Sequence, residues 1–166
     1  MIGSTLQRVA HLEVSPGASL DRNTSLVLVR IGGQRFALNI ACVRSLLRMT
    51  ALTPIPEPKP GLVGLLNFHG TLLPVVDPRP RLAIPTPLPH PDQYLVLLSS
   101  QTQYLLWVDG AETVVDAPCE RVVGSDASGA PPISDSVARI DGGMIPILSA
   151  AALDPGPVSA TLEARA

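Results

Sequence analysis

Three kinds of side chain in this 166-residue chain have the chemistry for a reaction or a metal site: histidines, cysteines, and carboxylates that close apolar runs. The histidines His11, His69 and His90 lie far apart in sequence and beside no cysteine pair, so the short spacings of a zinc site are missing. Cys42 and Cys119 are the only cysteines, too few for a secreted disulfide framework, and read as plain buried thiols. Asp77, Asp109 and Asp141 each end an apolar run. Acid/base work needs two such carboxylates close together with separated pKa values; singly they read as strand-end caps and turn acceptors. The chain has no GxGxxG after a strand, no P-loop, no HExxH and no GxSxG. The expectation is no catalysis, no metal and no cofactor.

Binding chemistry is the alternative, and the composition narrows it. Apolar residues make up 46% of the chain, while charged residues reach only 16%, against about a quarter in ordinary domains. A surface with little charge fits a docking protein. A net charge of −2 with one Trp, two Tyr and two Phe offers neither the basic patch nor the stacking rings that nucleic acid requires. No apolar run approaches the roughly 18 residues that span a bilayer, so no direct membrane insertion is expected. The N-terminus lacks the unbroken apolar core of a signal peptide, which predicts a cytoplasmic protein.

The elements that must position a binding surface are short strands. Residues 62–82 run apolar to the turn Asn67-Phe68-His69-Gly70, then apolar again to Asp77, an antiparallel hairpin. A weaker copy occupies 137–153, with its turn at Asp141-Gly142-Gly143. Pro74 and Pro146 stand in the two outgoing strands, each followed by two apolar residues. Upstream, 25–31 and 34–40 form a hairpin around Gly32-Gly33. Asn39 then caps an expected short helix over 41–48, with Val43, Leu46 and Leu47 on one face and Arg44 and Arg48 on another. Residues 94–99, 104–108 and 112–116 read as strands of a second half. Setting Leu26 on Tyr94 also sets Phe36 on Tyr104, Leu38 on Leu106 and Ile40 on Val108.

Two proline-alternating stretches punctuate this plan. The prolines of 54–60 make a stiff extended crossing. Those of 85–91 read as the linker between halves. A flexible segment is expected over 1–24, a loop over 125–132, a last turn of helix at 150–153 and a tail over 154–166. Phe36, Leu65, Val75, Leu106 and Ile147 are the expected core. Order and repetition favour two short-stranded antiparallel barrels over a parallel α/β sheet, which needs more helices.

These residues resemble a known family, the CheW-like domain of bacterial chemotaxis coupling proteins. Phe36-Ala37-Leu38-Asn39-Ile40 followed by Val43 looks like its opening signature. Pro54 and Pro56 precede Gly64-Leu65-Leu66-Asn67-Phe68-His69-Gly70, which is similar to the family's Gly-x-x-Asn-Leu-Arg-Gly. Pro74-Val75-Val76-Asp77-Pro78-Arg79 follows its Pro-x-x-Asp-Leu-Arg, Val108-Asp109 its Val-Asp step, and Ile145-Pro146-Ile147-Leu148 its closing strand. The resemblance covers residues 25–153 and implies a mostly β domain of two SH3-like five-stranded antiparallel barrel lobes with short helices. The first lobe is expected over about 25–84 and the second over about 92–153, with exchange of strands between them left open.

The resemblance also implies a role. Members are non-catalytic adaptors that link the cytoplasmic tips of methyl-accepting chemoreceptors to the regulatory domain of the histidine kinase CheA, holding the receptor's helical tip between lobes. Carried onto this chain, the partner-binding positions are Val43, Ser45, Leu46, Asn67, His69 and Arg79. Two of them depart from the pattern: His69 replaces an Arg, and Ser45 replaces a common Glu. A histidine lacks the permanent charge and the five donors of an arginine. Hydrogen bonds to charged groups contribute roughly 1.5–3 kcal/mol, so losing both charges weakens a partner contact by an order of magnitude or more. Phe68 and Pro78 each replace a Leu. The expectation is a divergent coupling protein. The alternative is a β-barrel module serving another regulator, as in a pilus or surface-sensing pathway.

Overall fold

The computed structural model describes residues 23–55, 61–121 and 133–156. The expected flexible segment up to residue 22, residues 56–60 of the first proline stretch, the loop 125–132 and the tail from 157 lie outside them. The chain runs β1 (Asn23–Ile31), β2 (Gln34–Asn39), a 3₁₀ turn (Ile40–Cys42), β3 (Val43–Arg48), β4 (Leu62–Phe68) and β5 (Thr71–Val76). It continues with a second 3₁₀ turn (Arg79–Leu82), β6 (Tyr94–Ser99), β7 (Gln103–Val108), β8 (Gly110–Arg121), β9 (Ser134–Ile140), β10 (Gly143–Leu148) and a single helical turn, α1 (Ala150–Leu153).

Three hairpins turn on two residues that both have left-handed backbone: Gly32-Gly33 (φ 61°, 80°), His69-Gly70 (52°, 88°) and Asp141-Gly142 (50°, 78°). Positive φ at both central positions is the type I′ signature, whose twist matches that of the flanking strands. The polar turn expected at 67–70 therefore tightens to His69-Gly70, with Phe68 paired to Thr71.

The strands form two five-membered sheets. One is a closed barrel in the order β1-β2-β10-β9-β8; the other runs β3-β6-β7-β5-β4. A bridge between Thr53 and Leu65 brings the chain after β3 onto β4. Gly64 permits that approach: a Cβ there would lie 3.0 Å from both the Thr53 carbonyl and the Leu52 Cβ. The sheets do not follow the halves 25–84 and 92–153. Each keeps the first hairpin of one half and takes three strands from the other, so the lobes exchange strands reciprocally. Exchange also makes one neighbour pair in each sheet parallel, β2 with β10 and β5 with β7. Both parallel contacts involve the residue after a proline, Ile147 after Pro146 and Val75 after Pro74.

β6 and β7 are buried on both faces, which is why they read as unbroken apolar runs. Leu95, Leu97, Leu105 and Trp107 point into the second lobe with Met49, Leu73 and Val75. The alternate residues Val96, Leu98, Tyr104, Leu106 and Val108 meet Val29, Ile31, Phe36 and Leu38 of the first lobe in a shared core. Leu26, Leu28, Ala37, Ala117, Ala138, Ile140 and Ile145 fill the first barrel. Of the expected core residues, Phe36, Leu65, Val75 and Leu106 are buried, whereas Ile147 is half-buried at the edge of the first barrel.

Residues 43–48 form a strand, not the helix their apolar spacing predicts. Asn39 does cap, its Oδ1 accepting from the Ala41 amide at 2.9 Å, but only for one 3₁₀ turn. Pairing with β6 decides the matter, since a strand here satisfies both backbone and apolar side chains.

Candidate partner-binding surface

Strand β3 lies beside β6 at the end of the second sheet, and its register contains an irregularity between Val43 and Ser45. Val43 pairs with Leu98 and Leu46 with Val96, and both partners belong to the shared core. Directly paired residues share a face, so the bulge places Val43 and Leu46 together on the side that meets the other lobe. That grouping was legible in the sequence, for the wrong reason: a helix was expected to produce it. Leu47 instead packs into the second lobe's interior. Ser45 pairs with Leu97 of that interior and is half-buried, off the face of Leu46.

Val43 packs against the shared core, but Leu46 keeps 48% of its surface exposed, a large apolar side chain at the rim of the seam. Arg48 continues the rim, its guanidinium 5.5 Å over the Tyr94 ring and 3.9 Å from Asp92 in a largely exposed pair. Such a pair contributes little in water. Arg44 donates to the Ala41 carbonyl at 2.8 Å. The rim is therefore apolar at its centre and basic at its edges.

Asn67 and His69 sit at the β4–β5 tip. Asn67 Oδ1 accepts from the Gly70 amide at 2.8 Å, which holds the turn. His69 is exposed, with its ring edge-on to Phe68 at 4.2 Å. No hydrogen bond or ion pair among the described residues joins this tip to Leu46.

Arg79 is not on the surface. It is fully buried, donating to Asp77 Oδ1 at 2.9 Å and to Asp109 Oδ1 at 2.7 Å, with the Trp107 ring 4.5 Å away. Its Nε has no hydrogen-bond partner among the described residues. Asp77 is itself buried and accepts from Thr86 Oγ1 at 2.7 Å and from the Arg79 amide at 3.0 Å. Asp109 reaches across the seam to the Gly32 amide at 2.6 Å. Gln93 donates to Asp109 at 3.2 Å and accepts from the Trp107 indole at 3.1 Å. A buried ion pair of this kind is a structural clamp, and Arg79 is unavailable to a partner.

Burial pushes the Asp109 carboxyl up, but the Gly32 amide, the Arg79 guanidinium and the Gln93 amide outweigh it and hold the group below the usual carboxylate range. Two aspartates do converge here, yet on a fixed cation, the opposite of a pair poised for proton transfer. The Tyr104 hydroxyl, pushed up by burial and then by Asp154 and Cys42, donates to the Ala150 carbonyl at 2.6 Å. Among the described residues no cluster of His, Cys, Asp or Glu has the grouping of a metal site, and no helix is long and apolar enough to cross a membrane.

Comparison with known proteins adds a lineage to this geometry. A family model described as the CheW-like domain matches residues 25–154. The chain is 29% identical over 91 residues to the chemotaxis protein CheW of Rhizobium meliloti (strain 1021), covering 54% of this chain and 59% of that protein. It is 36% identical over 59 residues to a probable chemotaxis protein CheW of Rhizobium etli, covering 36% and 38%. With the chemotaxis protein CheW of Bacillus subtilis (strain 168) it shares 23% identity over 99 residues, covering 59% and 64%. The matched stretches thus span less than two thirds of each relative's length. The crystal structure of the scaffolding protein TtCheW from Thermoanaerobacter tengcongensis superposes with a TM-score of 0.62 at 21% identity, covering 76% of this chain and 89% of that one. That likeness is one of fold.

Proposed function

The chain belongs to the CheW-like domain family, and on that basis we propose that it is a non-catalytic, cytoplasmic adaptor coupling chemoreceptors to the histidine kinase CheA in a chemosensory array. The observation that carries this reading is Leu46, half-exposed beside the lobe–lobe core on the same face as Val43. A side chain of that size at the mouth of an apolar seam is available to the apolar face of a partner helix. Asn67 and His69 supply a second contact at the hairpin tip, and Ser45, half-buried on β3, contributes its hydroxyl from that strand. Arg79 contributes only indirectly, by locking the seam.

Binding is tested by passing purified chain over an immobilised CheA regulatory domain and, separately, over receptor tip fragments. Retention on both, lost in Leu46→Asp, supports the adaptor; retention on neither refutes it. The departures at Ser45 and His69 favour a second reading, a module recruited to a pilus or surface-sensing regulator, for which binding to the kinase fails while the fold is intact.

A further inference from the structure

The segment 84–91 is more than a connection. Its residues alternate Ile84-Pro85-Thr86-Pro87-Leu88-Pro89-His90-Pro91, so every position is either a proline or the residue before one. Proline fixes its own φ near −65°, and its ring drives the preceding residue out of the α region into the extended or polyproline II region. No regular secondary structure is present over 84–90. Both ends are tied down. Thr86 Oγ1 donates to the buried Asp77, and the His90 amide donates to Gln93 Oε1 at 2.7 Å. Between these ties no hydrogen bond among the described residues involves Pro87, Leu88 or Pro89.

A polyproline II helix has three residues per turn. Thr86 is held to Asp77 at one end, and at the other Pro89, His90 and Pro91 lie along a shallow cleft with Met49, Thr50 and Ala51. By that period Pro85 and Leu88 share one edge. Leu88 is 87% exposed, the most exposed of the large apolar side chains described. A rod this stiff, tethered at both ends, has already lost the conformational entropy that binding normally costs.

We propose that residues 84–91 are a preformed polyproline II ligand that presents Pro85, Leu88 and the open backbone carbonyls around them to an aromatic-lined groove on a partner protein. Such grooves recognise this conformation by packing apolar side chains between rings. A second copy of this chain cannot supply the groove. Trp107, Tyr104 and Phe36 are at most 3% exposed, Tyr94 lies under Arg48, and Phe68 packs into the second lobe. The inference is independent of the coupling role, since Leu46 and the hairpin tip play no part in it.

The test is a nuclear magnetic resonance titration of the ¹⁵N-labelled full chain with a set of purified WW and SH3 domains, the aromatic-grooved readers of such segments. The expected result is saturable shifts at the Thr86, Leu88 and His90 amides with at least one domain, mirrored at that domain's groove tryptophan. Leu88→Ser, and separately Pro87→Ala with Pro89→Ala, should weaken the interaction about tenfold or more. The melting temperature of Leu88→Ser should stay at the wild-type value, because the side chain is exposed. Silence at 84–91 with every domain, or shifts that persist unchanged in the variants, overturns the proposal and leaves the rod a spacer.

Discussion

The Arg79 guanidinium bridges two carboxylates, at 2.9 Å to Asp77 and 2.7 Å to Asp109, and the far oxygen of Asp109 takes the Gly32 amide of the opposite lobe. One buried cation thus joins the end of β5, the end of β7 and the β1–β2 turn. Removing it strands Asp77 at 3% exposure without its charge partner. Arg79→Ala should destabilise the fold by about 3–5 kcal/mol, because an uncompensated buried charge costs more than the pair contributes. Urea melts measure this; a loss below about 1 kcal/mol would show the clamp to be idle.

Acid should loosen the same clamp. The Asp109 carboxyl is held below its ordinary value, which is about 3.9 in an unfolded chain. Its contribution is complete above that value and is lost as pH falls through the lower, folded-state value. Asp154 behaves alike, since burial is outweighed by the Thr102 hydroxyl and by amides including those of Thr102 and Gly156. Wild type should therefore lose stability more steeply than Asp109→Asn as pH is lowered from about 5 to about 2. Parallel urea midpoints for the two proteins across that window would contradict the linkage.

Leu65 is fully buried on β4, opposite Pro74 and bridged by its backbone to Thr53 at 2.8 Å. Leu65→Ala should cost roughly 2–5 kcal/mol in denaturant melts. A cost under about half a kcal/mol would mean that the lobe collapses around the missing side chain.

Position 69 tests the divergence directly. His69 already holds a left-handed turn residue at φ 52°, so His69→Arg exchanges one non-glycine side chain for another and should leave stability nearly unchanged. Restoring a permanent charge should tighten binding to receptor tip or kinase regulatory domain about tenfold. Equal affinities measured by calorimetry would remove residue 69 from the contact surface.

How much of this was written in the chain depends on the residue. The hairpins were legible because Gly32-Gly33, His69-Gly70 and Asp141-Gly142 carry turn chemistry between apolar runs. The strand at 43–48 was not, because Val43, Leu46 and Leu47 fit a helical spacing, and only pairing with β6 and a bulge resolve it. Reciprocal exchange of strands was also hidden, since pairings as distant in sequence as Ala37 with Ile147 leave no local signal. Arg79 and Asp109 stood out as motif positions, but nothing local says that both side chains turn to the same point. Leu88 was passed over because a proline-rich stretch reads equally as a linker.

The coupling claim is tested most directly by kinase autophosphorylation in a reconstituted mixture of receptor fragments, CheA and this chain. Receptor-dependent kinase activity is expected to rise only when the chain is present. It should fall back with Leu46→Asp, whose melting temperature should match wild type because Leu46 is 48% exposed. Kinase activity indifferent to the chain, with or without receptor, would contradict the adaptor role.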